Sequence, residues 1–228
     1  MMSTEPGIGV CRWLAKVAGG WILMAAALFA SAGTWRWPGA WWYLGLVAVT
    51  QAANVVAPRN PVLLAQRSQV PKGAKNWDLP MAVGMSMIGP LATAVTAGLD
   101  WRLDWIGYVS GVVFWQALAI AAAGAGLGVW AMRENPFFLP VLHIRAGQRV
   151  VQRGPYALIR HPGYAGAIVV TLAMPYVLES RWAVFPAMLT ALLIVVRTWA
   201  EDRTLQTELP GYREYARSVR ARLLPGVW

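Results

Sequence analysis

Two short stretches of this chain hold most of the side chains able to do chemistry. Residues 148–166 read QRVVQRGPYALIRHPGYAG. Gly154, Pro155 and Tyr156 are turn formers. Arg160, His161 and Pro162 then set a guanidinium and an imidazole beside a proline. Pro162 suits the first turn of a helix, where a missing N–H costs nothing, and the unbonded amides of such a turn favour an anion. The second stretch is Arg197-Thr198-Trp199-Ala200-Glu201-Asp202. A helix would put Arg197 and Glu201, one turn apart, on a single face. They read as a surface ion pair worth a few tenths of a kcal/mol, or as site residues, since ionisable groups at membrane depth tend to be paired or functional. For Arg160 and His161 the competing reading is loop charge that sets topology. Downstream, Gly211-Tyr212-Arg213-Glu214-Tyr215 and Arg220-Ala221-Arg222-Leu223-Leu224-Pro225 form a basic segment. It could fold back over the site or rest on anionic lipid.

The elements that must position these groups are apolar. Of 228 residues, 57% are hydrophobic and 13% charged, against about 25% charged in a soluble domain. Six apolar segments stand out, at 17–34, 41–57, 79–99, 105–132, 164–178 and 182–196. The first four reach the ~17–25 residues a spanning helix needs. The last two are about 22 Å long as helices, short of a ~30 Å hydrocarbon core. With Glu179-Ser180-Arg181 between them they predict a tight, short helical hairpin. The expected fold is therefore an all-α integral membrane bundle of about six transmembrane helices with a cytoplasmic cofactor pocket. Residues 1–132 would form a four-helix membrane region and 133–228 the catalytic core, within one structural domain. Arg12 and Lys16 before an apolar stretch ending in Ala30-Ser31-Ala32 resemble a signal peptide; a second apolar segment follows within a few residues, which favours an uncleaved first helix. Several of the 14 Trp flank apolar runs, namely Trp35, Trp37, Trp41, Trp42, Trp101, Trp105 and Trp182, where interfacial rings belong.

Net charge is +10. The cations flank apolar runs and do not line an aromatic or recognition-helix surface, so they set topology and do not bind nucleic acid. If all six segments cross and the N-terminus is cytoplasmic, 17 basic residues lie inside and only Arg36, Arg102 and Arg181 outside. Both chemistry-bearing stretches then face the cytoplasm together. The 17 Arg against 3 Lys suit a GC-rich bacterial genome, hence a multi-pass protein of a bacterial inner membrane. One cysteine, Cys11, allows neither an internal disulfide nor a cysteine metal site. Gly124-Ala125-Gly126-Leu127-Gly128 matches the glycine spacing of a nucleotide loop, but no strand precedes it. Close helix packing is the expected use of Gly124 with Gly128, and of Gly107 with Gly111.

GPYALIRHPGYAG, the following hairpin, RTWAED, GYREY and RLLPGVW together resemble the isoprenylcysteine carboxyl methyltransferases, which group with the phospholipid methyltransferases. The likeness covers 135–228 well. Residues 60–67 (NPVLLAQR) and 72–78 also look like bacterial members. The resemblance implies S-adenosylmethionine on the cytoplasmic side. It would be lined by Gln148, Arg149, Val150, Val151 and Tyr156, by the run His161, Pro162, Gly163 and Tyr164, and by Glu201. His143 is a weaker match, because the loop before Gln148 differs in length. Arg197 would bind the acceptor substrate and act with Glu201 and Arg160 as the catalytic set. Glu201-Asp202 stands where many relatives carry two Glu. No metal is needed, because a sulfonium methyl is already activated. A carboxylate acceptor is ionised at neutral pH, whereas a thiol or amine would need a base such as Glu201 or a tyrosine. The acceptor would be lipid-like or a small apolar molecule entering sideways from membrane lipid. Two further readings are an NADPH-dependent, sterol-reductase-like membrane oxidoreductase, whose fold is related, and a non-enzymatic membrane scaffold.

Overall fold

The computed structural model describes residues 6–57, 67, 71, 73–105 and 109–228, with backbone only for 6–10. Arg59, residues 60–66, Lys72 and Gly107 lie outside the described residues. All regular structure among the described residues is helical. Helix α1 covers Pro6–Ala32 and α2 Pro38–Val56; α3 (Asp78–Val83) runs through a π-helical turn at Gly84–Ile88 into α4 (Gly89–Leu103). Helix α5 covers Gly111–Glu134, a 3-10 turn Gly154–Ala157, α6 Pro162–Val177, α7 Val184–Glu208 and α8 Tyr212–Ser218.

Local chemistry explains the boundaries. Pro38 and Pro162 stand in the first turns of α2 and α6, where proline's preset φ helps and its missing donor is not needed. Ser110 caps α5 by accepting the Val113 N–H at 3.4 Å. Asp104 ends α4 in the left-handed conformation, φ 49°, a region that short polar side chains tolerate.

Four stretches are long and apolar enough to cross a membrane: Cys11–Ala32, Asp78–Leu103, Gly111–Glu134 and Val184–Glu208. Pro162–Val177 is a shorter apolar helix. The chain is an integral membrane protein of helices. Helix α2 forms where a second span is expected. It carries Thr50, Gln51 and Asn54 on a face that lines an internal groove, so its hydropathy is diluted.

The hairpin differs from expectation in being asymmetric. Helix α6 stops at Val177 as anticipated, but α7 continues twelve residues past Val196 to Glu208. The apolar run ends there and the helix does not, because Arg197, Thr198, Asp202 and Leu205 are all buried against other elements. The hairpin turn is pinned by buried Asp100, whose Oδ2 accepts the Ser180 hydroxyl at 2.6 Å; Ser180 Oγ in turn accepts the Ala183 N–H at 3.1 Å.

Helices α5 and α6 share the most extensive contact, and glycine makes it possible. A Cβ on Gly124 would meet the Gly166 carbonyl oxygen at 2.8 Å, and one on Gly166 would clash with the Gly124 carbonyl. Gly128 lies beside the same crossing. Gly124 is therefore a packing glycine, as spacing suggested, whereas Gly126 and Gly128 have nothing within 4 Å of where a Cβ would stand. Gly111 has nothing within 4 Å of where its Cβ would stand and takes no part in packing. Trp37 also departs from expectation. It is fully buried in the main core with Leu28, Leu44 and Val177 and stacks on Trp101 at 5.5 Å. Trp35, Trp41, Trp42, Trp105 and Trp182 are exposed, as interfacial residues would be.

Candidate active site

One face of α7 forms the floor of the site and carries Arg197, Glu201, Asp202 and Leu205 toward the rest of the chain. Arg197 and Glu201 share that face, yet they do not pair. Arg197 Nε and Nη2 donate to the two oxygens of Asp78 at 2.6 and 2.8 Å. Nη2 also donates to the Pro140 carbonyl at 2.8 Å, and Nη1 lies 3.1 Å from Met85 Sδ. Asp78 is fully buried and Arg197 nearly so. Asp78 Oδ2 accepts the Leu142 N–H at 2.6 Å as well. The i,i+4 ion-pair reading is thus overturned. The edge of Arg197 suited to an acceptor carboxylate already holds Asp78, in the bidentate geometry a planar guanidinium favours.

Glu201 accepts the Tyr164 hydroxyl at 2.6 Å and has no ion-pair partner among the described residues. Tyr164 stacks on His161 at 5.9 Å, and the Arg197 guanidinium lies 5.3 Å from its ring centre. A cation over a tyrosine face is attracted by the ring quadrupole.

Asp202 is the hub. Fully buried, its Oδ1 accepts from Arg160 Nε at 2.8 Å and from the Tyr212 hydroxyl at 3.0 Å. His161 Nε2 is 3.2 Å from the same oxygen. Oδ2 accepts from Arg160 Nη2 at 3.0 Å, Arg222 Nε at 2.9 Å and Gln206 Nε2 at 2.8 Å. Arg160 then spends Nη1 on the carbonyls of Ala216, Val219 and Arg220, at 3.3, 3.0 and 3.0 Å. The Arg160 and His161 amides donate to the carbonyls of Ala221 and Arg222, both at 3.0 Å. The C-terminal basic segment therefore does fold back over the site. Arg222 completes the strap by lying 4.9 Å from the Trp228 ring centre.

Between this floor and the 135–151 loop lies a cavity of about 340 Å³. His143, Gln148, Arg149, Val150 and Val151 line it on the loop side. Tyr156, Arg160, His161, Gly163 and Tyr164 line it from the α6 side, and Arg197 and Glu201 from α7. Pro162 is the exception: it is fully buried behind the cavity wall and serves as the first residue of α6. Gln148 is held by its own loop, its Oε1 accepting the Arg145 N–H at 3.1 Å. Tyr156 accepts from Asn135 Nδ2 at 3.3 Å, and its carbonyl accepts the Tyr215 hydroxyl at 2.7 Å. Burial pushes the phenols of Tyr156, Tyr212 and Tyr215 well above their usual range, so these three are protonated donors at neutral pH.

Asp78, Tyr212 and Asn135 belong to this arrangement but carry no individual site role in the sequence reading, and Asp202 is not central there. The usable signal was scarcity: ten acidic residues face twenty basic ones, and an acid beginning an apolar run, as Asp78 does, needs a reason.

A second, mostly apolar groove of about 330 Å³ runs between α2, α4, α5 and α6. It shares Arg67, Phe138, Gly163 and Ala167 with the first cavity. A Cβ on Gly163 would meet the Phe138 ring at 2.8 Å, so glycine keeps this junction open. Among the described residues no cluster of three or more His, Cys, Asp or Glu is placed to hold a metal ion.

No curated protein matches the chain. Residues 117–207, which run from within α5 through the loop and hairpin to the end of the α7 site face, match the model of the Isoprenylcysteine carboxyl methyltransferase (ICMT) family, and this part of the chain is similar to the methyltransferase domain of that family.

Proposed function

We propose that the protein transfers the methyl group of S-adenosylmethionine to a lipid-like or small apolar acceptor, at the cavity floored by Glu201 and Tyr164. The observation that carries this reading is convergence. Nearly every residue that motif resemblance assigns to the cofactor lines one cavity, and that cavity adjoins an apolar groove through four common residues. The volume falls within the ~300–1,000 Å³ of small-molecule sites. The donor set also suits a positively charged ligand: a half-buried Glu201 without a cation partner among the described residues, and the ring of Tyr164 beside it. His143, Gln148, Arg149, Val150, Val151, Tyr156, His161, Gly163 and Tyr164 would hold the cofactor, with Glu201 facing its charge.

When bound, S-adenosylmethionine supplies a methyl group already activated on a positive sulfur. The protein's own contribution is alignment and exclusion of water, which is proximity catalysis. An acceptor carboxylate arrives ionised; a thiol or amine would give its proton to Glu201, the nearest carboxylate not held by an arginine. Arg160 and Arg197 line the cavity but spend their forks on Asp202 and Asp78, which makes them positioning residues: Arg160 fixes the strap and Arg197 fixes the loop at Pro140.

Isothermal titration of detergent-purified protein should detect S-adenosylhomocysteine and not NADPH. His161→Ala and Tyr156→Ala should each weaken S-adenosylhomocysteine about tenfold, the usual size of a lost buried hydrogen bond, while the variants still purify folded. NADPH binding in its place would favour the oxidoreductase reading; binding of neither, the scaffold. Equal affinity in both variants and the parent would remove the loop around His161 from the site.

The orientation follows from the seventeen-to-three distribution of cations under the positive-inside rule: both termini and the 133–163 loop face the cytoplasm. A cysteine at Arg102 should react with an impermeant maleimide in intact cells, and one at Gln148 only after permeabilisation. The reverse pattern would overturn the orientation and, with it, access from a cytosolic cofactor pool.

A further inference from the structure

We propose that Arg67 receives the oxyanion head of the acceptor, at the threshold between the apolar groove and the cofactor cavity. Three observations converge on it. Arg67 lines both cavities, and among the described residues it is the only charged side chain lining the apolar groove. Its Nε is fully buried and has no hydrogen-bond partner. Among the described residues its guanidinium meets soft, uncharged groups: Nη1 is 2.8 Å from Met132 Sδ, and the group lies 5.5 Å from the Phe138 ring centre.

The contrast with the other arginines around the site is sharp. Arg160 and Arg222 both hold Asp202, and Arg197 holds Asp78. Arg67 holds no carboxylate among the described residues. A buried cation without a counter-ion is costly, and an unmet N–H beside it adds to the cost. Burial lowers the Arg67 pKa to about 10, so the group still carries its charge at neutral pH and its field falls on whatever enters the junction. A planar fork with an unmet Nε–H suits a carboxylate or a phosphate oxyanion. The groove beyond it, walled by Leu46, Val47, Val129, Val170 and Met174, suits an apolar chain attached to that head. The ligand class is thus an anionic amphiphile. Because Arg197 is committed to Asp78, the acceptor-binding task that resemblance assigns to Arg197 passes to Arg67.

The inference rests on the methyltransferase reading in one respect: it takes the ligand to be the methyl acceptor. The test is designed to part the two. Full-length protein in a non-ionic detergent, saturated with S-adenosylhomocysteine, is titrated with decanol, decanoate and decyl phosphate. The parent should bind one or both anions at least tenfold more tightly than decanol, and the stronger of the two names the head group. Arg67→Met should erase that preference and leave decanol binding within threefold. Arg67→Lys, which keeps the charge and loses the fork, should retain only part of it. No preference in the parent would overturn the proposal, as would an unchanged preference in Arg67→Met. If Arg67→Met fails to fold by gel filtration, an unchanged preference in Arg67→Lys overturns it equally. Should the parent fail to bind S-adenosylhomocysteine, the methyltransferase reading falls, while the head-group comparison, run without it, still decides the role of Arg67.

Discussion

Asp202→Ala is expected to lower the thermal midpoint by on the order of 10 °C and to remove measurable S-adenosylhomocysteine binding. The carboxylate is fully buried and serves Arg160, His161, Gln206, Tyr212 and Arg222 at once. Its removal leaves two guanidinium groups facing a void. Breaking a buried pair by deleting one partner costs about 3–5 kcal/mol, mostly because the surviving charge stays desolvated. The binding loss has a separate origin. Arg160 holds the carbonyls of Ala216, Val219 and Arg220 only while Asp202 fixes its plane; once freed, the strap loses its clasp. Asp202→Asn separates the two contributions. It keeps the shape and one acceptor oxygen and removes the charge, so it should fold better than Asp202→Ala while binding remains weakened. Thermal unfolding in detergent, with and without S-adenosylhomocysteine, reads both effects. A thermal midpoint and affinity in Asp202→Ala matching the parent would show that the strap does not depend on this hub.

Asp78 and Arg197 form the second large effect. Asp78→Ala and Arg197→Ala should each cost about 3–5 kcal/mol, since either leaves a buried ion alone. The double variant Asp78→Ala/Arg197→Met should cost much less than the sum, because no uncompensated charge remains. Arg197→Lys should rescue little: an ammonium cannot span both Asp78 oxygens and also reach the Pro140 carbonyl. The kinetics discriminate between positioning and direct contact. If Arg197 acts through Asp78 and the 139–142 loop, both single variants should weaken cofactor affinity alike, with a similar fall in kcat. A rise in acceptor KM confined to Arg197→Ala, in a methyl-transfer assay on membrane lipid extract, would instead return Arg197 to the acceptor and contradict the assignment made from its fork.

The buried polar framework links three segments far apart in the chain. Asp78 joins the start of α3, the loop at Leu142 and α7. Asp202 joins α7, the turn before α6 and the C-terminal strap. Helix α7 carries a member of each node, Arg197 and Asp202, five residues apart, which is why it stays helical well past the end of its apolar run. The family match spans residues 117–207, so the strap beyond it and Asp78 before it lie outside the matched residues.

Much was determined by sequence alone. Apolar runs of spanning length admit only helices in lipid, because every backbone donor and acceptor must be met within the segment; the helical membrane fold follows. Pro162 and the Gly154-Pro155-Tyr156 turn mark their local structures through backbone constraints that need no partner. The glycine run in α5 reads as packing because no strand precedes it, and the Gly124–Gly166 approach bears that out for Gly124, while Gly128 faces open space. The convergence of 148–151, Arg160, His161, Gly163, Tyr164 and Glu201 on one pocket is what the motif resemblance implied. What the sequence could not determine was pairing. Arg197 has Glu201 one turn away and Asp78 more than a hundred residues away, and i,i+4 proximity favours the first. Tertiary structure chose the second, because a fully buried carboxylate needs the stronger bidentate contact while Glu201 can be met by a tyrosine hydroxyl. The same holds for Trp37, which flanks an apolar run like its neighbours yet is buried by a packing surface that forms only when α1, α2 and α6 assemble. It holds as well for Arg67, which meets no carboxylate among the described residues while Arg160, Arg197 and Arg222 each hold one.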